Sequence, residues 1–406
     1  MRTSQALVEL ADIEDARRRL QGVAVQTPLD RSRALSGHVG GAVFIKCENL
    51  QRTGSFKIRG AYNRISRLSD AERAAGVVAA SAGNHAQGVA LAASLSGARA
   101  TVFMPSAASL PKVDATRRYG AEVVLTGKDF GAAFAAAEEH SRQTGAVFVH
   151  PFDHPHVIAG QGTMGCEIAE QLPDVATVVV PIGGGGLMAG TAAALSALKP
   201  SIRMIGVQAA GAAAFPASLE RGEPVSLESM STIADGIAAN RPGDLTLAHI
   251  ARQVDEVVTV TDEAIAEALV FTVERMKLVL EPAGAAGVAA VLQNAAALEP
   301  PVAVVLSGGN IDPLLLLSVI RFGMSAAGRY FAFHTRIADS PGELARLLAL
   351  IAELGGNVVG VEHHREGVAM HVGEVSVALQ LETKGSPHIA ELVEGLENEG
   401  YPVERL

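Results

Sequence analysis

One lysine, Lys57, stands where its amine could act as a nucleophile. It lies in the run Glu48-Asn49-Leu50-Gln51-Arg52-Thr53-Gly54-Ser55-Phe56-Lys57-Ile58-Arg59-Gly60-Ala61, in which Thr53, Gly54 and Ser55 read as a cap before a helix. Lys57 then falls in the first helical turn. There the positive end of the helix dipole disfavours an ammonium, and partial burial disfavours it further. Those are the conditions for Schiff-base chemistry. The plainer alternative is a solvated lysine at a helix start. No other lysine stands in an equivalent motif.

Three turns of small residues could hold an anion or a polar ring beside such an amine. Ser81-Ala82-Gly83-Asn84-His85 follows an apolar run ending at Ala80, so backbone amides can approach an anion at a helix start while Ser81 and Asn84 offer polar side chains. The alternative there is an ordinary strand-to-helix turn capped by Ser81 or Asn84. Gly183-Gly184-Gly185-Gly186-Leu187 follows Val178-Val179-Val180-Pro181-Ile182 and opens an alanine-rich helix. Four consecutive glycines are costly unless something must come close to the backbone, and their amides should point at a phosphate or similar anion. Gly184, Gly186 and Ala189 also satisfy a G-x-G-x-x-A dinucleotide fingerprint, but the next strand ends at Gln208, without the acidic residue that would hold a ribose. A dinucleotide is therefore disfavoured. Ser307-Gly308-Gly309-Asn310 closes a third apolar run and places one hydroxyl at its end. A neutral hydroxyl beside a cofactor's ring nitrogen would leave that nitrogen unprotonated, which favours elimination of a β-substituent.

Two other chemistries find little support. His150, His154 and His156 lie among prolines in an extended loop with no cysteine or carboxylate array, so no metal is expected there. No strict G-x-S-x-G elbow occurs, which argues against a serine hydrolase.

The elements that must position these residues alternate between short β-rich runs and alanine-rich helices, the pattern of a parallel sheet covered on both faces. Strands are predicted at 42–46, 76–80, 100–104, 122–125, 177–181, 204–207 and 302–306. The fold class is α/β, and its glycine turns fall at strand ends, where open sheets bind ligands. Residues 322–328 read as a small-residue linker. Residues 329–406 then read strand, helix, strand, strand, helix, strand, the βαββαβ order of a ferredoxin-like unit. That tail holds twelve acidic and six basic residues, and so supplies −6 of the chain's net −10.

With 406 residues and 49% hydrophobic content, the chain can bury the cores of two or three domains. Its acidic balance gives no attraction for nucleic acid or anionic lipid. Cys47 and Cys166 are the two cysteines, in no metal-like or disulfide-like spacing, which fits a reducing cytoplasm. Residues 1–20 read as an amphipathic helix and not a signal peptide, and no apolar run reaches membrane-spanning length.

Taken in order, Ser55-Phe56-Lys57-Ile58-Arg59-Gly60-Ala61, Ser81-Ala82-Gly83-Asn84-His85, the four glycines with Leu187, Glu281-Pro282-Ala283-Gly284-Ala285 and Ser307-Gly308-Gly309-Asn310 resemble the fold-type II pyridoxal-phosphate enzymes. Within them the chain is similar to the threonine ammonia-lyases, or threonine dehydratases, along essentially its whole length. The tail resembles a single ACT domain, a regulatory module.

The resemblance implies a pyridoxal 5'-phosphate catalytic domain at 1–325, formed of two open α/β subdomains with the smaller, roughly 78–152, inserted in the larger, and an ACT domain at 329–406. It implies that Lys57 carries the cofactor as a Schiff base and removes the α-proton, that Phe56 packs beside the ring, and that Asn84 bonds the phenolic oxygen. Gly183, Gly184, Gly185 and Gly186, with Leu187, would cradle the phosphate, and Ser307 would meet the pyridine nitrogen. Gly236 and Glu281 would line the pocket. Ser81, Ala82, Gly83, Asn84 and His85 would bind the substrate carboxylate, and the Ser81 hydroxyl would be the second catalytic group. L-Threonine would give 2-oxobutanoate and ammonia, and L-serine pyruvate. An amino-acid effector would bind at Ser340, Pro341, Gly342 and Glu343, in a homodimer or homotetramer serving either isoleucine synthesis or threonine breakdown.

One departure concerns metal. Related serine racemases and some dehydratases hold a divalent cation through carboxylates where this chain has Gln208, Ala212 and Ala214, so that site is expected to be absent. Two alternatives stand beside the main expectation: a serine racemase or β-replacing enzyme of the same fold, and a non-catalytic protein that senses amino acids through its tail.

Overall fold

Burial explains why the strands read as unbroken apolar runs. In a computed structural model, which describes residues 6–364 and 373–405, the strands Val77–Ala80, Thr177–Pro181 and Val302–Val305 are buried at every position. Helices cover both faces of such strands, so neither face selects polar residues. All seven predicted strands form, within two residues at their ends. Leu29–Arg31, Val147–Phe148 and Glu256–Val260 form as well; two are very short and the third carries no continuous apolar run.

The chain divides by its internal contacts into Met1–Asp312 and Pro313–Leu406. The first unit holds two sheets. The larger runs Leu29–Arg31, Val43–Lys46, Val302–Val305, Thr177–Pro181, Arg203–Ala209, Glu256–Val260, parallel except for its first strand. The smaller runs Glu122–Leu125, Ala100–Met104, Val77–Ala80, Val147–Phe148 and is wholly parallel. Met164, Ile168, Met188 and Leu195 pack on the larger sheet, and Ile58, Ile65, Ala86 and Val89 on the smaller. The helices Pro155–Gln171 and Gly186–Leu198 approach so closely that a Cβ at Gly190 would lie 2.2 Å from the Ile158 carbonyl oxygen. The helix Leu10–Arg19 starts in a capping box of Glu9 and Asp12 and buries Ile13 and Ala16; Met1 to Gln5, part of the expected amphipathic stretch, lie outside the described residues.

The second unit opens with the helix Pro313–Ala326, followed by strands Tyr330–Ala338, Asn357–His364, Glu374–Glu382 and Glu404–Arg405 and helices Glu343–Glu353 and Ser386–Asn398. Its antiparallel sheet has the order Asn357–His364, Glu374–Glu382, Tyr330–Ala338, Glu404–Arg405. Tyr330–Ala338 alternates buried and half-buried positions, the period-2 pattern of a strand with one covered face. Phe333, Leu347, Ile351, Val377, Leu379 and Leu392 form the core.

The predicted linker at 322–328 is helical as far as Ala326. Gly323 is buried there, within the helix. That helix packs on Tyr330–Ala338, which is why the division by contacts falls at Asp312 and not at 325. Among the described residues no helix is long and apolar enough to cross a membrane.

Candidate active site

Three strands of the first unit deliver the chemistry at their carboxyl ends: Val77–Ala80 leads to Ser81, Thr177–Pro181 to the glycines, and Val302–Val305 to Ser307. Lys57 begins the helix Lys57–Ile65. Thr53, Gly54 and Ser55 do not cap it, contrary to the sequence expectation. Phe56 occupies the cap position without a side-chain bond, and Thr53 and Gly54 instead make a left-handed turn at φ +64° and +69°. Tertiary bonds hold the turn: Phe56 N donates to the Ser307 carbonyl at 3.2 Å, Gly309 N to the Gly54 carbonyl at 2.9 Å, and Asn310 Nδ2 to the Thr53 carbonyl at 2.6 Å.

Lys57 Nζ donates to the Pro151 carbonyl at 3.1 Å and lies 5.1 Å from the Phe56 ring centre. Burial brings its pKa down to about 8, against the opposing pull of Glu281. Burial pushes the Glu281 carboxyl up to about 7; neighbouring Asp235 adds to this, while a 2.5 Å hydrogen bond from Asn84 Nδ2 opposes it. Asn310 Nδ2 also donates to Asn84 Oδ1 at 2.8 Å, so both ends of that amide are fixed.

One pocket is lined by Phe56, Lys57, Asn84, Gly183, Gly184, Gly185, Gly186, Leu187, Gly236, Glu281 and Ser307, which brings together all the residues named above for a cofactor. Gly185 sits at φ +97°, a region that disfavours side chains, and a Cβ at Gly184 would lie 2.3 Å from the Phe152 ring. The loop therefore presents bare backbone to the pocket at the start of the helix Gly186–Leu198. Bare amides at a helix start suit a phosphate, and a buried amine of lowered pKa suits an aldehyde. Ser307, 3% exposed, adds a hydroxyl that is 3.4 Å from the Ala283 carbonyl oxygen. The donor set fits pyridoxal phosphate.

Of the residues named for the substrate carboxylate, Asn84 alone is among the lining residues. Ser81 Oγ accepts from Gly83 N at 3.1 Å, and buried His85 bonds the Val149 carbonyl through Nε2 at 2.9 Å, with burial bringing its pKa down to about 3. Sequence reasoning missed Pro151, Phe152, Gln161 and Ile237. The first two lie in the histidine-proline loop that was weighed for metal. There His150 Nδ1 accepts from the amides of Phe152 and Asp153, and His154 Nδ1 accepts from His156 N at a helix start, so both act as turn caps. Gln208, fully buried, accepts from Phe215 N at 2.9 Å and donates to the Ala212 carbonyl at 3.4 Å, binding that loop through an amide.

In the second unit, Gly342 stands at φ +98° before the helix Glu343–Glu353, with Ser340 N on the Ala338 carbonyl and Glu343 paired to Arg346 at 3.0 Å.

Residues 20–308 match the family described as "Pyridoxal-phosphate dependent enzyme". The chain belongs to that family. It is 49% identical over 397 residues to the L-threonine ammonia-lyase of Thermotoga maritima, covering 98% of this chain and 99% of the relative. The processed threonine deaminase isoform 2 of Solanum lycopersicum superposes with a TM-score of 0.74 at 39% identity, over 77% of this chain and 86% of that one. Maize serine racemase also gives 0.74, at 36% identity over 79% and 99%.

Proposed function

We propose that the chain is an L-threonine ammonia-lyase that also accepts L-serine, regulated by an amino acid through an ACT domain at 329–406. The observation that carries the activity is the convergence of Lys57, the glycine loop and Ser307 on one pocket, in a chain aligned almost end to end with a relative of that name. When bound, pyridoxal phosphate supplies an aldehyde for the amine and a sink for the electrons released at the substrate's α carbon. Lys57 would hold the aldehyde until the substrate's amine displaces it, and the released neutral lysine would then take the α-proton and hand a proton to the departing β-hydroxyl. The glycine amides would hold the phosphate, Phe56 would lie beside the ring, and Asn84, fixed by Glu281 and Asn310, would offer its amide to the phenolic oxygen. The Ser307 hydroxyl would leave the ring nitrogen neutral. Ser81, Ala82, Gly83 and His85 complete the substrate side as the turn next to Asn84. Water replaces nitrogen on the dehydrated substrate, so L-threonine becomes 2-oxobutanoate and ammonia.

The neutral amine is the nucleophile, so condensation of the cofactor-free chain with pyridoxal phosphate should speed up by about tenfold per pH unit below pH 8 and level off above it. Stopped-flow absorbance measures this; a rate still climbing steeply at pH 10 would contradict a lowered lysine pKa.

For regulation, support comes from the βαββαβ order of the second unit and the glycine-preceded helix start at Ser340, Pro341, Gly342 and Glu343. A dimer or tetramer in the cytoplasm completes the proposal; Cys47 and Cys166 are free and buried. The deciding experiment follows 2-oxo acid release from L-threonine and L-serine, with isoleucine, valine or threonine titrated against the intact chain and a chain ending at Asp312. Turnover of both substrates is expected, with kcat/KM differing by no more than about 200-fold, because one methyl group is worth only about 1–3 kcal/mol of discrimination. Kinetics indifferent to every amino acid would remove the regulatory role. The likeness to maize serine racemase gives a second possibility, and D-serine as the main product would establish it.

A further inference from the structure

We propose that Thr246, which does not line the pocket, positions the phosphate-binding peptide from behind, and that Asp153 holds Thr246 in place. The proposal takes Gly183 to Gly186 as the seat of the cofactor phosphate, as proposed above.

Thr246 is fully buried in the helix Asp244–Gln253, and its hydroxyl donates to the Gly184 carbonyl at 2.7 Å. A trans peptide is planar, with its C=O and N–H pointing in opposite directions. Tying the Gly184 oxygen back to Thr246 therefore turns the Gly185 N–H away from Thr246, toward the pocket that Gly184 and Gly185 line. The same peptide is backed sterically, because a Cβ at Gly185 would lie 2.8 Å from Thr246 Cβ and 2.7 Å from Phe215 Cζ. Without the hydroxyl, a glycine pair with no side chains to restrain it is free to rotate this peptide.

Thr246 is itself anchored by a residue far away in sequence. Gly243 stands at the cap position of its helix and has no side chain to cap with. Asp153 supplies the cap: Oδ2 accepts from Asp244 N at 3.0 Å, and Oδ1 from Leu245 N and Thr246 N, both at 3.1 Å. A Cβ at residue 243 would collide with the Asp153 carboxylate at 2.2 Å, so glycine there admits the carboxylate. The neighbouring Phe152 packs against Gly184 and Gly186. Two adjacent residues, 152 and 153, thus support the loop, one by ring contact and one through the Thr246 helix.

The test compares pyridoxal phosphate with pyridoxal, which lacks the phosphate, on the full-length cofactor-free chain. Dissociation constants come from titrating absorbance. Thr246→Val, which keeps the branched shape and removes the hydroxyl, is expected to lower the preference for pyridoxal phosphate over pyridoxal by about tenfold, the worth of one hydrogen bond. Thr246→Ser should restore it. Asp153→Asn, which keeps one acceptor oxygen, should lower the same ratio by about threefold and gives an independent variant. If Thr246→Val weakens both ligands equally, the residue serves general stability and the positioning role is overturned. A wild-type preference for the phosphate that both variants leave intact overturns it likewise. A wild-type chain with no preference at all overturns the phosphate seat and the brace together.

Discussion

Lys57→Ala is expected to lower 2-oxo acid release from L-threonine by at least about 10³-fold and to abolish the absorbance band of the Schiff base between the lysine and the cofactor, leaving that of the free aldehyde. A general base alone contributes about 10²–10⁴-fold, and this residue is also the proposed covalent anchor. Among the described residues no other lysine lines the pocket. Lys46 is buried in an ion-pair network, and Lys112 is paired with Asp235 at 2.5 Å. Neither is free to substitute. Lys57→Arg should fail equally, since a guanidinium stays protonated and neither condenses with an aldehyde nor accepts a proton near neutral pH. Cofactor affinity should fall but persist, because the glycine loop, Asn84 and Ser307 are unchanged. Turnover near the wild-type rate in Lys57→Ala would refute the assignment of the nucleophile.

The second large effect lies two residues along the same helix. Arg59, 1% exposed, donates to Glu48 at 2.7 and 2.8 Å and to Glu167 at 2.6 and 3.0 Å. Lys46 Nζ completes the network, donating to Glu167 at 2.6 Å, to the Thr27 carbonyl at 2.8 Å and to Gln171 at 2.9 Å. Two cations balance two carboxylates in a space almost closed to water. Burial pushes the Glu48 carboxyl up, but Arg59 outweighs it and holds the pKa below the usual 4.5. That stabilisation is therefore present at neutral pH and is lost as pH falls through the lowered pKa.

Arg59→Met removes one cation and leaves two carboxylates facing Lys46 alone. Breaking a buried pair in this way costs roughly 3–5 kcal/mol, because a buried charge loses its partner. For a unit of this size the melting temperature should drop by roughly 5–10 °C, as measured by circular dichroism on the cofactor-free chain. Arg59→Lys should fall between, retaining charge but losing the two-pronged geometry. A change below about 1 kcal/mol in Arg59→Met would mean that Lys46 and solvent compensate for the network. Because Arg59 shares its helix with Lys57, cofactor binding should weaken as well.

Much of this molecule is visible in local patterns. The apolar runs locate the central strands because burial on both faces leaves only one kind of residue acceptable there. The order of elements in the tail is equally legible, since its sheet is covered on one face and alternates accordingly. Lys57, Asn84, the four glycines, Glu281 and Ser307 could all be named from motifs, and the structure brings them to one pocket.

Other features follow from packing and leave no local trace. The short strands Leu29–Arg31 and Val147–Phe148 exist because a neighbouring strand offers them hydrogen bonds, not because their residues demand it. The stretch read as a linker is helical as far as Ala326, in a helix that packs on Tyr330–Ala338. Phe152 and Asp153 looked like part of a histidine loop, yet their contacts are with Gly184 and with Thr246, both distant in the chain. Residue types and spacing determined which groups could do chemistry and the α/β class that would carry them. Tertiary structure decided which groups meet, how far burial lowers the Lys57 pKa, and which buried partners hold the loop around the site. Those properties depend on distance and desolvation between residues up to a hundred or more positions apart, and the order of residues along the chain does not contain such distances.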